Sequence, residues 1–129
     1  MNKIIVEVSV GELFDKISIL EIKQEKIKDP EKLKFINNEH SILKDQLKKN
    51  VKSDDKLNAL YQSLKDINAK LWVIEDDKRE CEKNKDFGEK FIKLSRDIHF
   101  LNDDRAKIKL EINNHTGSVI KEIKEYTSY

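Results

Sequence analysis

The stretch LNALYQSLKDINAKLWVIEDDKREC, residues 57–81, decides the fold class. Its apolar residues recur at alternating spacings of three and four, which is the period of one face of an α-helix. We call this line of positions the seam of the helix, and one polar residue, Lys78, interrupts it. The pattern predicts a helix of about 28 residues, which is ~42 Å long at 1.5 Å per residue.

A second seam of the same length follows after the turn EKNKDFG, residues 82–88. Asp86 and Glu89 have the spacing of a helix N-cap pair, and Gly117 can end the helix in a left-handed conformation. Two long helices joined by a short turn predict an antiparallel hairpin. The seam positions of the second helix are Phe87, Phe91, Leu94, Ile98, Leu101, Arg105, Ile108 and Ile112.

Two shorter helices precede this hairpin. Ser9 and Glu12 have capping-box spacing at the start of the first, and Asp29 followed by Pro30 separates it from the second. Ser53 or Asp54 is then the N-cap of the long helix that begins before Leu57. The chain is therefore expected to build two helical hairpins in sequence.

The sequence predicts an all-α fold, an antiparallel four-helix bundle of two helical hairpins with coiled-coil-like seams. The β-branched run from Ile4 to Val10 predicts a short N-terminal strand, which needs a partner because a lone strand is unstable. Residues 118–129 predict a short C-terminal helix. We expect one helical domain over residues 1–129, with an extended arm (1–9) and a tail (118–129).

The composition limits the possible partners and location. Charged residues make up 40% of the chain, but 26 Lys plus Arg nearly balance 25 Asp plus Glu, so no basic field supports binding to nucleic acid. No apolar stretch approaches the ~20 residues of a membrane span, and the N-terminal run lacks signal-peptide features. Cys81 is the single cysteine, which excludes an internal disulfide. We therefore predict a cytoplasmic protein without membrane insertion, whose partner is itself, as a homodimer, or another protein.

Four polar residues occupy seam positions: Gln24, His40, Lys78 and Arg105. Buried charge needs a partner or a route to water, and the long stem of Lys78 is expected to reach water near Phe91. Arg105 lies in mid-helix, where that route is harder, and two interpretations remain open. Either Arg105 closes a structural ion pair with Asp66, Glu75 or Glu21, or it lines a pocket for an anion. The pocket would also contain Asn102 and Lys109, one turn away on the same face.

Acidic residues suggest a second feature of such a pocket. Glu21 on the first helix and Glu75 and Asp76 on the third could hold Mg²⁺ if they face one another. The histidines lack the spacing of paired zinc ligands. No catalytic set is recognisable, and no cofactor is predicted except Mg²⁺ under the pocket interpretation, so enzymatic activity stays open. The candidate ligand-binding residues are Arg105, Asn102, Lys109, Glu21, Glu75 and Asp76.

Three stretches together carry a resemblance to a known family: VSVGELFDKISILEIKQEKI (8–27), LWVIEDDKRECEKNKDFGEKFIKLSRDIHFLNDDRAKIK (71–109) and GSVIKEIKEYTSY (117–129). They resemble a family of small uncharacterised helical proteins of bacteria and their phages. Some members lie near genes for lipopolysaccharide or other surface-glycan synthesis. The resemblance implies a genomic context and no specific activity.

The leading interpretation is an oligomeric interaction or accessory protein. Trp72 and Tyr126 are its candidate interface residues, because large aromatic side chains dominate binding energy at protein interfaces. The alternative is a small enzyme or binding protein for an anionic ligand, a nucleotide or sugar nucleotide, held in the polar pocket between helices.

Overall fold

The computed structural model describes residues 2–129. These residues form four helices and no strand. The helices are α1 (Val10–Lys26), α2 (Pro30–Asn50), α3 (Asp55–Lys83) and α4 (Glu89–Thr116). The described chain is therefore all-helical, as the seam patterns predict.

Side-chain caps begin the first three helices at the predicted residues. Ser9 Oγ accepts a hydrogen bond from the backbone N–H of Glu12 at 3.0 Å. Asp29 caps α2, whose first residue is Pro30, and Asp54, of the two predicted candidates, caps α3. These contacts satisfy amides that the first helical turn leaves unpaired.

The start of α4 differs from the prediction, whereas its end agrees with it. The N-cap is Gly88, not Asp86. Asp86 Oδ1 accepts the N–H of Gly88 at 3.1 Å within the turn, so the carboxylate is used before the helix starts. At the other end Gly117 adopts the predicted left-handed conformation, with φ of 66°.

Helix α1 packs against each of the other three helices, and α3 packs along α4. Gly11 contacts Asn113 and Asp15 contacts Arg105, so α1 and α4 are antiparallel. Glu21 contacts His40 and Gln24 contacts Asn37, so α1 and α2 are antiparallel as well. This arrangement is compatible with the predicted antiparallel bundle. Its apolar core includes a cluster of four buried side chains, Phe14, Leu57, Leu64 and Ile112.

Helix α2 is the outer element. It contains no fully buried residue, whereas α1 buries eight of its residues. Leu47 and Val51, at the end of α2, pack partly against the core. The central position of α1, between α2 and the α3–α4 hairpin, makes its polar residues neighbours of every other helix.

The predicted N-terminal strand and C-terminal helix do not form. Residues 2–9 and 118–129 contain neither helix nor strand, and Met1 of the predicted arm lies outside the described residues. A strand needs a hydrogen-bonded neighbour, which the rest of the described chain does not supply. In the tail, Val119 and Ile123 stay exposed, and a short helix that packs on nothing is marginal in water.

None of the helices in residues 2–129 is long and apolar enough to cross a membrane.

Candidate functional site

Asp15 is the centre of a buried polar network between α1, α3 and α4. Its side chain is 2% exposed, and Arg105 binds both of its oxygens, with Nε 3.0 Å from Oδ1 and Nη2 2.5 Å from Oδ2. This two-point contact fixes the plane of the guanidinium. The hydrogen bond to Asp15 raises the pKa of Arg105 by more than partial burial lowers it, so the cation is kept.

Two small polar residues complete the surroundings of Asp15. Asn68 Nδ2 donates to Asp15 Oδ1 at 2.9 Å and to Ser18 Oγ at 2.8 Å. Ser18 Oγ in turn donates to the backbone carbonyl of Asp15 at 2.7 Å. Every buried side-chain nitrogen and oxygen in residues 2–129 has a hydrogen-bond partner. A fully satisfied network of this kind is rigid and holds its members in one geometry.

Lys109 lies one turn after Arg105 and joins the network to the tail. Its Nζ is 2.7 Å from Glu12, 3.3 Å from Glu122 and 3.8 Å from Asp15. Hydrogen bonds from Lys124 and then from Lys109 lower the pKa of the Glu122 carboxyl. The ammonium of Lys109 is therefore surrounded by carboxylates from α1 and from the tail.

A glycine allows α1 and α4 to approach closely enough for these contacts. The N–H of Gly11 donates to Asn113 Oδ1 at 2.7 Å. A Cβ atom at Gly11 would lie 2.5 Å from the backbone oxygen of Lys109, closer than real Cβ atoms come. The close crossing brings Glu12 and Asp15 within reach of the cations on α4.

Two clefts meet at Arg105 and Asn102. The tail cleft, about 740 Å³, lies between α4 and the tail and includes Lys109 and Tyr126. The Trp72 cleft, about 420 Å³, lies between α1, α3 and α4. Both volumes fall in the range of small-molecule sites. Asn102 and Arg105 line both clefts, and the guanidinium nitrogen that Asp15 leaves free, Nη1, is 3.4 Å from Asn102 Oδ1.

A separate polar cluster surrounds Glu21 on α1. His40 Nε2 is 2.9 Å from Glu21 Oε2, the hydroxyl of Tyr61 donates to Oε1, and Lys65 Nζ is 3.8 Å away. Burial raises the pKa of Glu21, but hydrogen bonds from Tyr61 and His40 and the charge of Lys65 together lower it below its ordinary value. Burial, and then the hydrogen bond to Glu21, raise the pKa of Tyr61. Glu21 thus connects α1 with α2 and α3.

The model of DUF6165, a family of unknown function, matches residues 4–129. The chain belongs to this family. No curated protein matches the chain, and no solved structure matches it. The match confirms the resemblance at the level of a family without an assigned function.

The structure brings together most of the predicted ligand-binding residues, but not all. Arg105, Asn102, Glu75 and Asp76 line the Trp72 cleft, together with Trp72 itself. Lys109 and Tyr126 lie on the other side of Arg105, in the tail cleft. Glu21 lies in the His40 cluster. Within residues 2–129, no three His, Cys, Asp or Glu side chains are grouped to hold a metal ion.

The predicted partners of Arg105 are wrong. Arg105 forms its ion pair with Asp15, not with Asp66, Glu75 or Glu21. Asp66 instead accepts a hydrogen bond from Gln62 on its own helix. The two interpretations of Arg105 are also not exclusive, because the paired guanidinium still lines both clefts. Lys78 lies where predicted, with Nζ 5.3 Å from the centre of the Phe91 ring.

The sequence prediction missed the residues that hold Arg105 in place, and a signal for some of them was present. Gly11, Asp15 and Ser18 follow one another at spacings of four and three, directly beside the apolar seam of α1. Small or short polar residues on such a line indicate a close helix crossing with buried hydrogen bonds. Asn68 lies one position after the seam residue Ile67 and had no comparable signal.

Proposed function

We propose that this protein is an interaction module that associates with a second copy of itself or with another protein. The observation that supports this proposal is a contrast between the polar and the apolar groups of the protein. Asp15, Arg105 and Lys109, the charged groups of the buried network, are paired internally, whereas large apolar side chains outside the core have no cover. Ile4 and Ile5 are 86% and 82% exposed, and Ile123 in the tail is 75% exposed.

The α3–α4 hairpin supplies further uncovered apolar surface. With 17 residues, α1 is about 26 Å long, whereas the 29 residues of α3 span about 44 Å, so the hairpin extends beyond α1. Val73, Ile92 and Phe100 expose about half of their surface. Trp72 and Tyr126 remain our candidate interface residues. Exposed large apolar side chains offer a surface on which a partner protein can pack.

The proposal also includes the cellular location and the biological context of this role. On the resemblance described above, we propose a cytoplasmic accessory role in bacteria or their phages, near the synthesis of surface polysaccharide. The single cysteine, which permits no internal disulfide, supports the proposed compartment.

Light scattering over a wide concentration range tests the interaction role. We expect a mass above the 15.2 kDa of the single chain, falling on dilution. Trp72→Ala and Tyr126→Ala should weaken association if these side chains lie at the interface, with Phe35→Ala, an exposed aromatic residue of α2, as the control. A monomer at the highest concentration, together with an empty pull-down, would overturn the proposal.

The clefts favour a second candidate function, the binding of an anionic ligand such as a nucleotide or sugar nucleotide. The specific observation is that Asp15 holds Arg105 at the junction of two clefts with Nη1 free of the ion pair. Glu75 and Asp76 on the Trp72 cleft could bind the ligand through Mg²⁺, and Lys109 could contact it from the tail cleft. Under this candidate the protein is a binding protein or a small enzyme.

The fluorescence of Trp72, the single tryptophan, offers a local test of this candidate. Nucleotides and sugar nucleotides would be titrated with and without Mg²⁺, beside a thermal-shift measurement. Binding should change the emission and raise the melting temperature, and Asn102→Ala should weaken it. Asn114→Ala, at an exposed position of the same helix, is the control. No change with any of these compounds would remove the candidate.

A further inference from the structure

The N-terminal arm, residues 2–9, is anchored to the bundle at Ser9, whereas the side chains of residues 2–8 are exposed. Ser9 is 4% exposed, caps α1 and has extended backbone angles, φ −70° and ψ 158°. The next residue, Val10, donates its backbone N–H to Ser118 Oγ at 3.1 Å. Beyond this anchor, Ile4, Ile5 and Val6 are between 70% and 86% exposed. The arm therefore projects apolar β-branched side chains from a fixed point on the bundle.

The sequence of the arm is complementary to itself when two copies run antiparallel. Residues 3–7 read Lys, Ile, Ile, Val, Glu. With a two-fold axis through Ile5, Lys3 lies opposite Glu7 of the partner subunit and Ile4 lies opposite Val6 of the partner subunit. Opposite charges and β-branched pairs facing each other across two strands are stabilising. Such a pairing is also isologous, as a two-fold dimer requires.

Other registers lose this match. In a parallel pair in register, Lys3 would face Lys3 of the partner subunit, and like charges directly opposite are destabilising. If the axis moves to Val6, Glu7 faces Ile5 of the partner subunit. If it moves to Ile4, Lys3 faces Ile5 of the partner subunit. Among these arrangements, only the axis through Ile5 gives both charged residues an oppositely charged neighbour.

We propose that two copies of this protein associate through their N-terminal arms, which form a two-stranded antiparallel ribbon centred on Ile5. This inference rests on the proposed self-association, adds the arm to Trp72 and Tyr126 as a contact surface, and gives the register of the two arms. It also explains why the β-branched run forms no strand in the single chain, since the neighbouring strand belongs to the second copy. A ribbon of two short strands is weak on its own, so the dimer dissociates on dilution.

Charge reversal tests the register in the full chain. Sedimentation equilibrium would measure the dimer dissociation constant of the wild type, Lys3→Glu, Glu7→Lys and the double variant. Each single change places like charges opposite each other twice and should weaken the dimer roughly tenfold, and the double variant should restore it. An equimolar mixture of the two single variants should form a heterodimer, because its chains carry two acidic and two basic residues at these positions. Circular dichroism would check that the helices are unchanged.

A cysteine at the axis gives an independent readout. In a Cys81→Ala background, Ile5→Cys places the two thiols opposite each other, so oxidised glutathione should link the chains by a disulfide. Glu7→Cys is the control, because its two copies would lie four residues apart along the ribbon, about 13 Å, which is too far for a disulfide.

The outcomes separate this inference from the broader proposal. If charge reversal leaves the dissociation constant of the dimer unchanged, the arm register is overturned. Equal cross-linking at positions 5 and 7 would overturn it too. In either case self-association uses another surface. A wild type that stays monomeric would overturn the arm ribbon and self-association together, and would leave only association with another protein, which the pull-down tests.

Discussion

Asp15 and Glu21 are two carboxylates on one helix, and their surroundings differ. Asp15 is 2% exposed and pairs with a guanidinium, whereas the side chain of Glu21 is 21% exposed and is held mainly by hydrogen bonds. Asp15 joins α1 to the α3–α4 hairpin, while Glu21 joins α1 to the outer helix α2 and to α3. The Asp15 cluster is therefore central to the fold, whereas the Glu21 cluster attaches α2, a helix with no fully buried residue.

Helix α1 thus uses the same chemical group, a carboxylate, for two purposes. A fully buried carboxylate cannot exchange its partners for water, so losing one partner leaves an uncompensated charge. A carboxylate with access to solvent can replace a lost partner by water, so each contact contributes less. We therefore expect changes at Asp15 and Glu21 to have unequal effects on the free energy of unfolding.

The largest effect is expected for Asp15→Ala. Removing this carboxylate takes a hydrogen-bond acceptor from Arg105, whose side chain is 29% exposed, and from Asn68, so the free energy of unfolding should fall by about 2–4 kcal/mol. Urea denaturation followed by circular dichroism would measure the loss. Asp104→Ala, at an exposed position of α4, is the control and should change stability by less than about 0.5 kcal/mol.

A double variant sharpens this prediction. Asp15→Leu combined with Arg105→Met removes both charges and should be more stable than Asp15→Ala, because no cation is left without its partner. If the double variant is the less stable of the two, the packing around the pair matters more than the charge. If Asp15→Ala costs as little as its control, Asp15 is not central to the fold.

Gly11→Ala tests the close approach of α1 and α4 on which the Asp15 cluster depends. The added Cβ would meet a backbone oxygen at 2.5 Å, and backbone cannot move aside cheaply, so we expect a loss of about 1–3 kcal/mol. Gly88→Ala is the matched control, because its Cβ would have its nearest contact at 3.4 Å, with a side-chain oxygen of Asp86. Equal thermal stability of the two variants would contradict the close crossing.

The fold was predictable from the sequence where a residue's role depends on its own helix. The seam from Leu57 to Cys81 predicts α3, and the caps at Ser9, Asp29 and Asp54 lie where their spacing indicates. Cys81 is 3% exposed, as its seam position predicts. These features depend on helical period and on side-chain contacts within one turn, both of which the sequence contains directly.

The pairing of Asp15 with Arg105 could not be predicted, because the line of Gly11, Asp15 and Ser18 indicates a close crossing but not which helix crosses there. A seam gives the face that a helix buries, but it does not give the neighbour at each level or the depth of the crossing. Here Gly11 brings α1 close to α4, and this approach selects Asp15 over the carboxylates of α3. The arm and the tail were mispredicted for a related reason, since strand or helix formation there needs packing that the single chain does not provide.

Glu21→Gln should have a smaller effect than the changes around Asp15. The substitution keeps the shape but removes the charge that Tyr61, His40 and Lys65 share, so we expect a loss of about 1–2 kcal/mol. Glu25→Gln is the control. Its side chain is 59% exposed and contacts Lys65 at 3.1 Å, and an exposed pair of this kind contributes about 0–1 kcal/mol. Equal losses for the two variants would mean that the Glu21 cluster is only a surface contact.

The smallest expected effect is the part of the pH dependence of stability that is caused by the titration of Glu21. Its pKa in the folded state lies below the ordinary value of 4.5. Stabilisation by this carboxylate is therefore complete above pH 4.5 and is lost as the pH falls through the lowered pKa of the folded state. The difference in unfolding free energy between the wild type and Glu21→Gln should thus be constant near neutral pH and shrink in acid. A difference that grows in acid would show that the folded protein prefers Glu21 protonated, so that burial outweighs the hydrogen bonds from Tyr61 and His40.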